Sequence, residues 1–280
     1  MDVERLDDPA AFGLRARPLL LADEARHNLV LGLLTTIAEQ PGYYPEHRFW
    51  LARDGAAVAG AAMRTPPHNL VVARPRDEGA VEALVAAIDE DIPGVTGARP
   101  EADLFARLWA ARTGRQLRVE FEQRIYALRE VRPHRATPGR ARPARRSERS
   151  LILGWYREFS LEALHDPAPD EGRLARNVDA RLGGTGMGLL IWDDDGPVSL
   201  AGWGGRTPNG IRIGPVYTPP AFRGRGYAGA LVAALSSRCL AEGSRFCFLY
   251  TNLANPTSNR LYVELGYEPV CDSVQYAFDA

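Results

Sequence analysis

The residues of this 280-residue chain that could do chemistry are concentrated at 218–235, where the sequence reads TPPAFRGRGYAGALVAAL. Residues 224–229 have the G-x-G-x-x-G spacing of a dinucleotide-binding fingerprint. Residues 223–228 also have the spacing R-x-x-G-x-A, which is a different phosphate-binding pattern. Glycines let the backbone approach a ligand closely, and arginines add positive charge. The segment is therefore predicted to bind a ligand that contains a pyrophosphate.

The flanking elements place this segment at the N-terminus of a helix. Residues 210–218 (GIRIGPVYT) are β-branched and apolar enough for a strand. Pro219 and Pro220 end that strand, because proline cannot donate a hydrogen bond to a sheet. From Tyr227 to about Ala241, apolar residues recur with helical spacing. Exposed N–H groups and the positive end of the helix dipole suit a pyrophosphate at this position.

A nicotinamide dinucleotide is not the expected ligand, since three features of a Rossmann fingerprint are missing. Two prolines and three further residues separate the strand from Gly224. The next strand, at 246–252, has no acidic residue to bind a ribose. Only about 55 residues follow the loop, too few for two βαβαβ halves. A Walker P-loop is excluded as well, because no Gly-Lys-Ser/Thr is present.

The chain also repeats itself. Residues 49–88 and 189–235 both read as a strand, an Asp-Gly turn, a second strand, an Arg-Thr-Pro corner, a third strand and a helix. The second copy has about five extra residues before its helix, and the phosphate-binding segment lies there. The matching segment of the first copy, ARPRDEGAVEAL (73–84), carries an acidic pair that would repel phosphate. The repeat predicts two α/β units, of which only the second binds the ligand.

Composition limits the classes of partner. Because the net charge is −1, the overall charge of the chain does not favour binding to nucleic acid or to a membrane surface. The Arg- and Pro-rich segment 132–149 between the copies is interpreted as a solvated linker, with binding of phosphate or nucleic acid as the alternative. Three cysteines without metal-ligand spacing predict reduced thiols in a cytoplasmic protein, with no metal. No signal peptide or membrane-spanning run is expected.

Two segments resemble motifs of the GNAT superfamily of N-acetyltransferases. The stretch VYTPPAFRGRGYAGALV (216–232) meets the family's [Q/R]-x-x-G-x-[G/A] acyl-CoA-binding pattern. The stretch NPTSNRLYVELGY (255–267) is similar to the next motif, in which an Asn is followed seven residues later by a Tyr and then by Gly-aromatic. The resemblance is specific from about 189 to 278 and reaches the first half weakly, through the repeat.

The resemblance implies a tandem α/β protein with two GNAT-like domains. A degenerate domain would occupy residues 1–134 and an acetyl-CoA-binding catalytic domain residues 135–280. Each would be a twisted, mixed, mostly antiparallel sheet flanked by helices. The first domain is expected to bind no CoA, and the protein is expected to be a monomer or a homodimer.

The implied reaction is direct transfer of an acetyl group from acetyl-CoA, as co-substrate, to an amine of a small molecule or a peptide. Tyr262 would act as the general acid toward the CoA thiolate. Backbone groups of Val216 and Thr218 would pair with the pantetheine amides, and a backbone N–H near Thr218 would meet the oxyanion. Asn255 would contact the CoA arm. The implied cofactor-binding residues are Val216, Tyr217, Thr218, Arg223, Gly224, Arg225, Gly226, Tyr227, Ala228, Asn255 and Ser258.

Several alternatives stay open. Many relatives have a glutamate base on the strand that corresponds to 210–218, but this strand has no carboxylate. Glu162 on a neighbouring predicted helix is a candidate base, and a surface helix charge is its alternative. Asn255 is interpreted either as a CoA contact or only as a helix cap, and Tyr262 either as the acid or as a core aromatic. The acidic run 193–195 is predicted to be a hairpin turn. A non-catalytic CoA-binding sensor is the alternative function.

Overall fold

The computed structural model describes residues 1–279, which form an α/β structure. The strands are β1 (Asp2–Leu6), β2 (Arg48–Asp54), β3 (Ala57–Arg64), β4 (Leu70–Val72), β5 (Gly94–Ala98), β6 (Gln116–Leu128), β7 (Arg140–Pro143), β8 (Gly188–Asp193), β9 (Pro197–Gly204), β10 (Gly210–Tyr217), β11 (Phe246–Asn252) and β12 (Glu268–Asp279). The helices are α1 (Pro9–Leu21), α2 (Asn28–Glu39), α3 (Glu78–Ala87), α4 (Glu101–Thr113), α5 (Arg149–Ala163), α6 (Glu171–Gly183), α7 (Tyr227–Ala241) and α8 (Pro256–Glu264).

The chain forms two compact units that are not two successive segments. The first unit contains residues 1–125 together with the described residues from Val270 onward. The second unit contains residues 126–269. Thus most of β12 belongs to the first unit, while the last residues of β6 belong to the second. The division predicted from the repeat, 1–134 and 135–280, stays a prediction of where the two copies meet in the sequence.

In the first unit, strands β1, β2, β3, β4, β5 and β12 are neighbours in that order. Strands β4 and β5 pair in parallel, and the other pairs among these strands are antiparallel. Alternate residues of β2 enter different cores: Trp50 packs with the cluster that includes α3 and α4, and Phe49 with the cluster of α1 and α2. The sheet therefore has helices on both faces, as the two-residue period of a strand allows.

The second unit repeats this pattern. Strands β7, β8, β9, β10 and β11 are neighbours, with antiparallel pairing up to β10 and parallel pairing between β10 and β11. Along β8, Leu190 and Trp192 pack with α7, whereas Leu189 and Ile191 pack with α5 and α6. The predicted fold class and the predicted repeat are confirmed: each unit has a mixed, mostly antiparallel sheet flanked by helices.

One prediction about the connection between the copies was wrong in part. The segment 132–149 was predicted to be a solvated linker, but β7 and a short 3-10 helix (Arg146–Glu148) lie within it, and α5 begins at its last residue. The charge of Arg142 is neutralised on the strand, since its guanidinium donates to Asp193 at 2.5 Å and to Glu148 at 2.6 Å. An arginine-rich composition therefore did not prevent regular structure, because Arg142 is paired with Glu148 of the same segment and with Asp193 from farther along the chain.

Among residues 1–279, no helix has both the length and the apolar character that a bilayer crossing requires.

Candidate functional site

The parallel strands of the second unit separate partway along their length. Residues Gly210–Arg212 of β10 pair with Phe246–Phe248 of β11. Beyond these three pairs β10 continues to Tyr217 and β11 to Asn252 without pairing to each other. Backbone N–H and C=O groups that no longer pair across the two strands are strong hydrogen-bonding groups that require other partners. The divergence leaves an opening between two extended backbones.

A β-bulge shapes the diverging end of β10. Ile213 lies opposite Trp203 of β9, and Val216 lies opposite Ala201, so three steps along β10 match two along β9. Gly214, within the bulge, has a φ of +144°. A bulge bends the strand and leaves one residue outside the regular ladder. It therefore bends β10 between Ile213 and Val216, and pairing with β9 resumes at Val216 and Tyr217.

The loop after β10 leads into a helix whose N-terminus no side chain caps. Gly224 and Gly226 have φ values of +78° and +90°, a region that favours glycine. Gly226 is the N-cap residue of α7, and no side-chain hydrogen bond caps the helix. In the first unit, by contrast, the carboxylate of Asp77 accepts from the backbone N–H of Ala80 at the start of α3. The first backbone N–H groups of α7 are therefore not bonded by a capping side chain, and they can donate to an anion.

Arg223 connects the loop to the end of β10. Its Nε donates to the backbone oxygen of Thr218 at 2.9 Å, and its Nη2 donates to Oε2 of Glu162 at 2.5 Å. The guanidinium also lies 5.8 Å from the ring centroid of Tyr217. The side chain of Arg223 is therefore engaged in fixing the loop.

Two glutamates of α5 lie at the end of β10. The hydroxyl of Tyr217 donates to Glu158 at 2.8 Å and lies 3.2 Å from Glu162. Burial of the phenol, together with the hydrogen bond to Glu158, raises the pKa of Tyr217. Ser199 donates from Oγ to the backbone oxygen of Tyr217 at 3.1 Å, and its Oγ lies 2.8 Å from Oγ1 of Thr218. Helix α5 and strand β9 together hold this end of β10 in place.

The acidic run 193–195 forms the turn between β8 and β9, as predicted. Asp195 has a φ of +54°, and β9 begins at Pro197. The turn also contacts the loop region, because the hydroxyl of Tyr227 donates to Oδ2 of Asp194 at 2.5 Å. This hydrogen bond raises the pKa of Tyr227. No sequence signal pointed to this contact, since a turn carboxylate and a tyrosine in the next helix have no fixed spacing.

The N-terminus of α8 is capped as the sequence predicted. The side-chain oxygen of Asn255 accepts from the backbone N–H of Ser258 at 3.0 Å, and Pro256 is the first helical residue. Asn259 donates from Nδ2 to the backbone oxygen of Asn252 at 2.9 Å, which joins the helix to the end of β11. The cap thus uses the side-chain oxygen of Asn255, and the two N–H donors of its side-chain amide remain available to a ligand.

Tyr262 is a buried tyrosine with an unpartnered hydroxyl. The residue is 7% exposed, and its hydroxyl forms no hydrogen bond with any residue between 1 and 279. Its ring packs edge-on against Tyr267, with the ring centroids 5.8 Å apart. Burial raises the pKa of Tyr262 to about 12. The phenol therefore stays protonated near neutral pH and retains a proton that it can donate.

Within the described part of the chain, no group of three or more His, Cys, Asp or Glu side chains is arranged to hold a metal ion. Cys239 and Cys247 are buried thiols, and Cys271 is half-buried.

The structure brings some of the predicted site residues together and leaves others apart. Glu162, Arg223 and Tyr217 form one hydrogen-bonded group at the end of β10. Ser258 and Tyr262 lie on α8, and Asn255 caps the helix by accepting from the N–H of Ser258. The sequence prediction did not include Glu158, although its spacing of four residues from Glu162 places both carboxylates on one face of α5.

Comparison with known proteins supports the resemblance seen in the sequence. Residues 188–276 match the family model described as FR47-like protein. No curated protein matches the chain by sequence. Among solved structures, a Drosophila protein is 13% identical, with a TM-score of 0.70 and coverage of 99% of this chain and 98% of that chain.

Two further structures carry acetyltransferase family names. A GCN5-related N-acetyltransferase from Sphaerobacter thermophilus is 18% identical, with a TM-score of 0.62 and coverage of 99% of this chain and 98% of that chain. A tandem GNAT protein from the clavulanic acid biosynthesis pathway is 15% identical, with a TM-score of 0.58 and coverage of 98% and 97%. Over almost its full length this chain therefore shares the fold of these acetyltransferase-family structures, including the tandem one, and residues 188–276 match the FR47-like family model.

Proposed function

We propose that the chain is an N-acyltransferase that binds acetyl-CoA in its second unit and transfers the acetyl group directly to an amine. The observation that carries the proposal is the divergence of β10 and β11 beside the uncapped start of α7. An extended pantetheine arm between the two strands would form hydrogen bonds with backbone groups of Val216 and Thr218 that face β11. The pyrophosphate would then meet the amides of the loop 223–228.

Within this proposal, the loop residues have different roles. The amides of Gly224, Arg225, Gly226, Tyr227 and Ala228 would face the pyrophosphate, and the side chain of Arg225 would add charge. Arg223 would position the loop, because its guanidinium bonds the Thr218 oxygen and Glu162. Helix α7 supplies the fixed dipole behind these groups.

The chemistry requires an acid and a base. A backbone N–H near Thr218 would stabilise the oxyanion that forms when the amine attacks the thioester carbon. As the carbon–sulfur bond breaks, the leaving thiolate would take the hydroxyl proton of Tyr262, which burial keeps in place until then. The amine must lose a proton before or during attack. Glu162 is the proposed acceptor of that proton, and Glu158 is the nearest other carboxylate at the same end of β10.

The first test is a calorimetric titration with acetyl-CoA, with NADH as the control ligand. We expect one acetyl-CoA per chain, because α3 in the first unit is capped by Asp77 and begins with a further acidic residue. NADH should give no heat of binding. If acetyl-CoA does not bind, both the enzyme proposal and the sensor alternative below are wrong.

A non-catalytic CoA-binding sensor is the second candidate function. The observation that favours it is the lack of any carboxylate on β10 itself. A screen of pooled small-molecule and peptide amines for CoA release separates the two functions. Binding of acetyl-CoA without release of CoA by any amine would favour the sensor. Cytoplasmic location and a monomeric or homodimeric state stay predictions.

A further inference from the structure

The segment that joins the two copies runs back across the second unit's phosphate-binding loop. The backbone N–H of Arg132 donates to the oxygen of Leu265 at 2.9 Å, and this contact fixes the segment beside the end of α8. Residues 134 and 135 then lie against the start of α7. These residues therefore lie along the second unit, although the side chains of Arg132 and Arg135 remain exposed as the linker interpretation predicted.

Arg135 lies directly on the loop. Its Nη2 donates to the backbone oxygen of Gly224 at 3.2 Å. Its Nε would lie only 2.6 Å from a Cβ atom placed on Gly226. A side chain at 226 would therefore displace this guanidinium, and the left-handed backbone favours glycine at the same position. No carboxylate in residues 1–279 forms an ion pair with Arg135, so its positive charge is not neutralised.

His134 packs beside Arg135 on the first turn of α7. A Cβ atom on Gly229 would lie 2.5 Å from its Cε1 and 2.6 Å from its Nε2. The Nε2 atom is buried and has no hydrogen-bond partner. A buried ring nitrogen without a partner costs free energy, and a nearby acceptor or donor would recover it. The segment therefore contributes a guanidinium that has no carboxylate partner and an imidazole nitrogen that has no hydrogen-bond partner among residues 1–279, both at the helix end that is most favourable for an anion.

We propose that Arg135, positioned by His134, is a further phosphate-binding residue of the acyl-CoA site. This inference rests on the proposed function, since it assigns the linker to that same site. The guanidinium would form charge-assisted hydrogen bonds to a phosphate oxygen held by the loop amides. The connection between the two copies thereby becomes part of the cofactor site. His134 packs on Gly229 and thereby fixes the position of Arg135 over the loop.

The test compares R135A with R140A in acetyl-CoA titrations. Arg140 is an exposed arginine of the same segment and serves as the matched control. R135A should weaken acetyl-CoA binding about tenfold, because a charge-assisted hydrogen bond to phosphate is lost, and the loss should shrink at high salt. R140A should bind as the wild type does. Unchanged or tighter binding by R135A would overturn the inference.

Dephospho-CoA identifies the phosphate. This analogue retains the pyrophosphate and lacks the 3′-phosphate. If R135A weakens its binding as much as that of CoA, the arginine binds the pyrophosphate. If R135A and the wild type bind dephospho-CoA equally well, the arginine binds the 3′-phosphate. Both outcomes support the linker as a phosphate-binding segment.

The variant G229A tests the positioning role of His134. Alanine favours a helix over glycine, but its Cβ would displace the imidazole. We expect G229A to weaken acetyl-CoA binding and to speed trypsin cleavage within 132–140, and the double variant H134A/G229A to recover part of the affinity. Equal cleavage in G229A and the wild type would exclude the positioning role.

Failure of the inference and failure of the proposed function are distinguishable. If the wild type binds no acetyl-CoA, the proposed function fails. If the wild type binds acetyl-CoA and R135A binds it equally well, only the role of Arg135 fails.

Discussion

Among single residues, Tyr262 has the environment that most directly links structure to chemistry. Its hydroxyl is unpartnered within the described chain, and burial raises its pKa to about 12. We predict that Y262F lowers kcat about 10–100-fold and leaves the Kd for acetyl-CoA within about twofold, since only the transferable proton is removed. Steady-state rates of CoA release and calorimetry would measure the two effects.

Tyr267 provides the control for that variant. It is a neighbouring buried tyrosine whose hydroxyl lies 2.8 Å from Oγ of Ser236. Y267F should lower the free energy of unfolding by about 1 kcal/mol and leave kcat unchanged. Equal loss of activity in Y262F and Y267F would mean that Tyr262 contributes only to packing.

Glu162 has two roles to separate, proton acceptance and the positioning of Arg223. We predict that E162Q lowers kcat/KM for the amine at least about tenfold, because an amide cannot accept the proton although its oxygen can still bond Arg223. E158Q, one turn earlier on the same helix, should have a smaller effect. If E162Q retains full activity and only E162A loses it, Glu162 positions Arg223 and another group is the base.

His27 links stability to pH in the first unit. The ring is 4% exposed, its Nδ1 lies 2.9 Å from the oxygen of Leu20, and its Nε2 accepts from the N–H of Arg74 at 3.0 Å. Burial lowers the pKa of this imidazole, so the folded chain keeps it neutral. Below the unfolded pKa of about 6.5, the unfolded chain binds a proton that the folded chain does not.

The free energy of unfolding should therefore fall as the pH drops below about 6.5, by at most about 1.4 kcal/mol per pH unit for this group. Denaturant titrations at several pH values measure this slope. H27Q should be less stable at pH 7 but should have a smaller slope. An equal slope in H27Q and the wild type would assign the pH dependence to other groups.

Among the elements, α8 tests whether a residue that caps a helix also binds the ligand. Asn255 accepts from the N–H of Ser258, and its amide donors are not used by that bond. Aspartate caps helices as well as asparagine does, but it has no donor at neutral pH. N255D should therefore retain the thermal stability of the wild type and should weaken acetyl-CoA binding several-fold. Unchanged binding in N255D would make Asn255 a cap alone.

At the level of the whole molecule, the first unit depends on the last strand of the chain. Phe278 on β12 is 5% exposed and packs with the core of the first unit, with its ring centroid 6.0 Å from that of Trp109. F278A should lower the free energy of unfolding by about 3–5 kcal/mol. Gln275, on the same strand, bonds Glu120 at the surface. Q275A should change stability by less than about 0.5 kcal/mol.

Thermal unfolding and hydrogen exchange resolved by segment would measure both variants. In F278A, faster exchange should appear in β5 and α4 of the first unit. If exchange in those elements stays at the wild-type rate, the last strand is not required for that unit's core.

Local patterns predicted much of the fold and part of the site. The Asp-Gly turns, the two-residue and helical periods and the cap at Asn255 depend on neighbouring residues, and each element that they predicted is present. The segment 132–149 was misjudged because the carboxylate of Asp193 that neutralises Arg142 lies far along the chain. Glu158 was missed for a similar reason, because only the packed structure brings it to Tyr217.

The repeat, the α/β class and the phosphate-binding spacing were readable from the amino-acid sequence, since glycine positions, hydrophobic periods and helix caps act over a few residues. The divergence of β10 and β11, the bond between Arg223 and Glu162 and the position of Arg135 on the loop became evident only from the folded chain. Those contacts join residues tens of positions apart, and they depend on how strands pair and how helices pack on them. No local spacing encodes such distances.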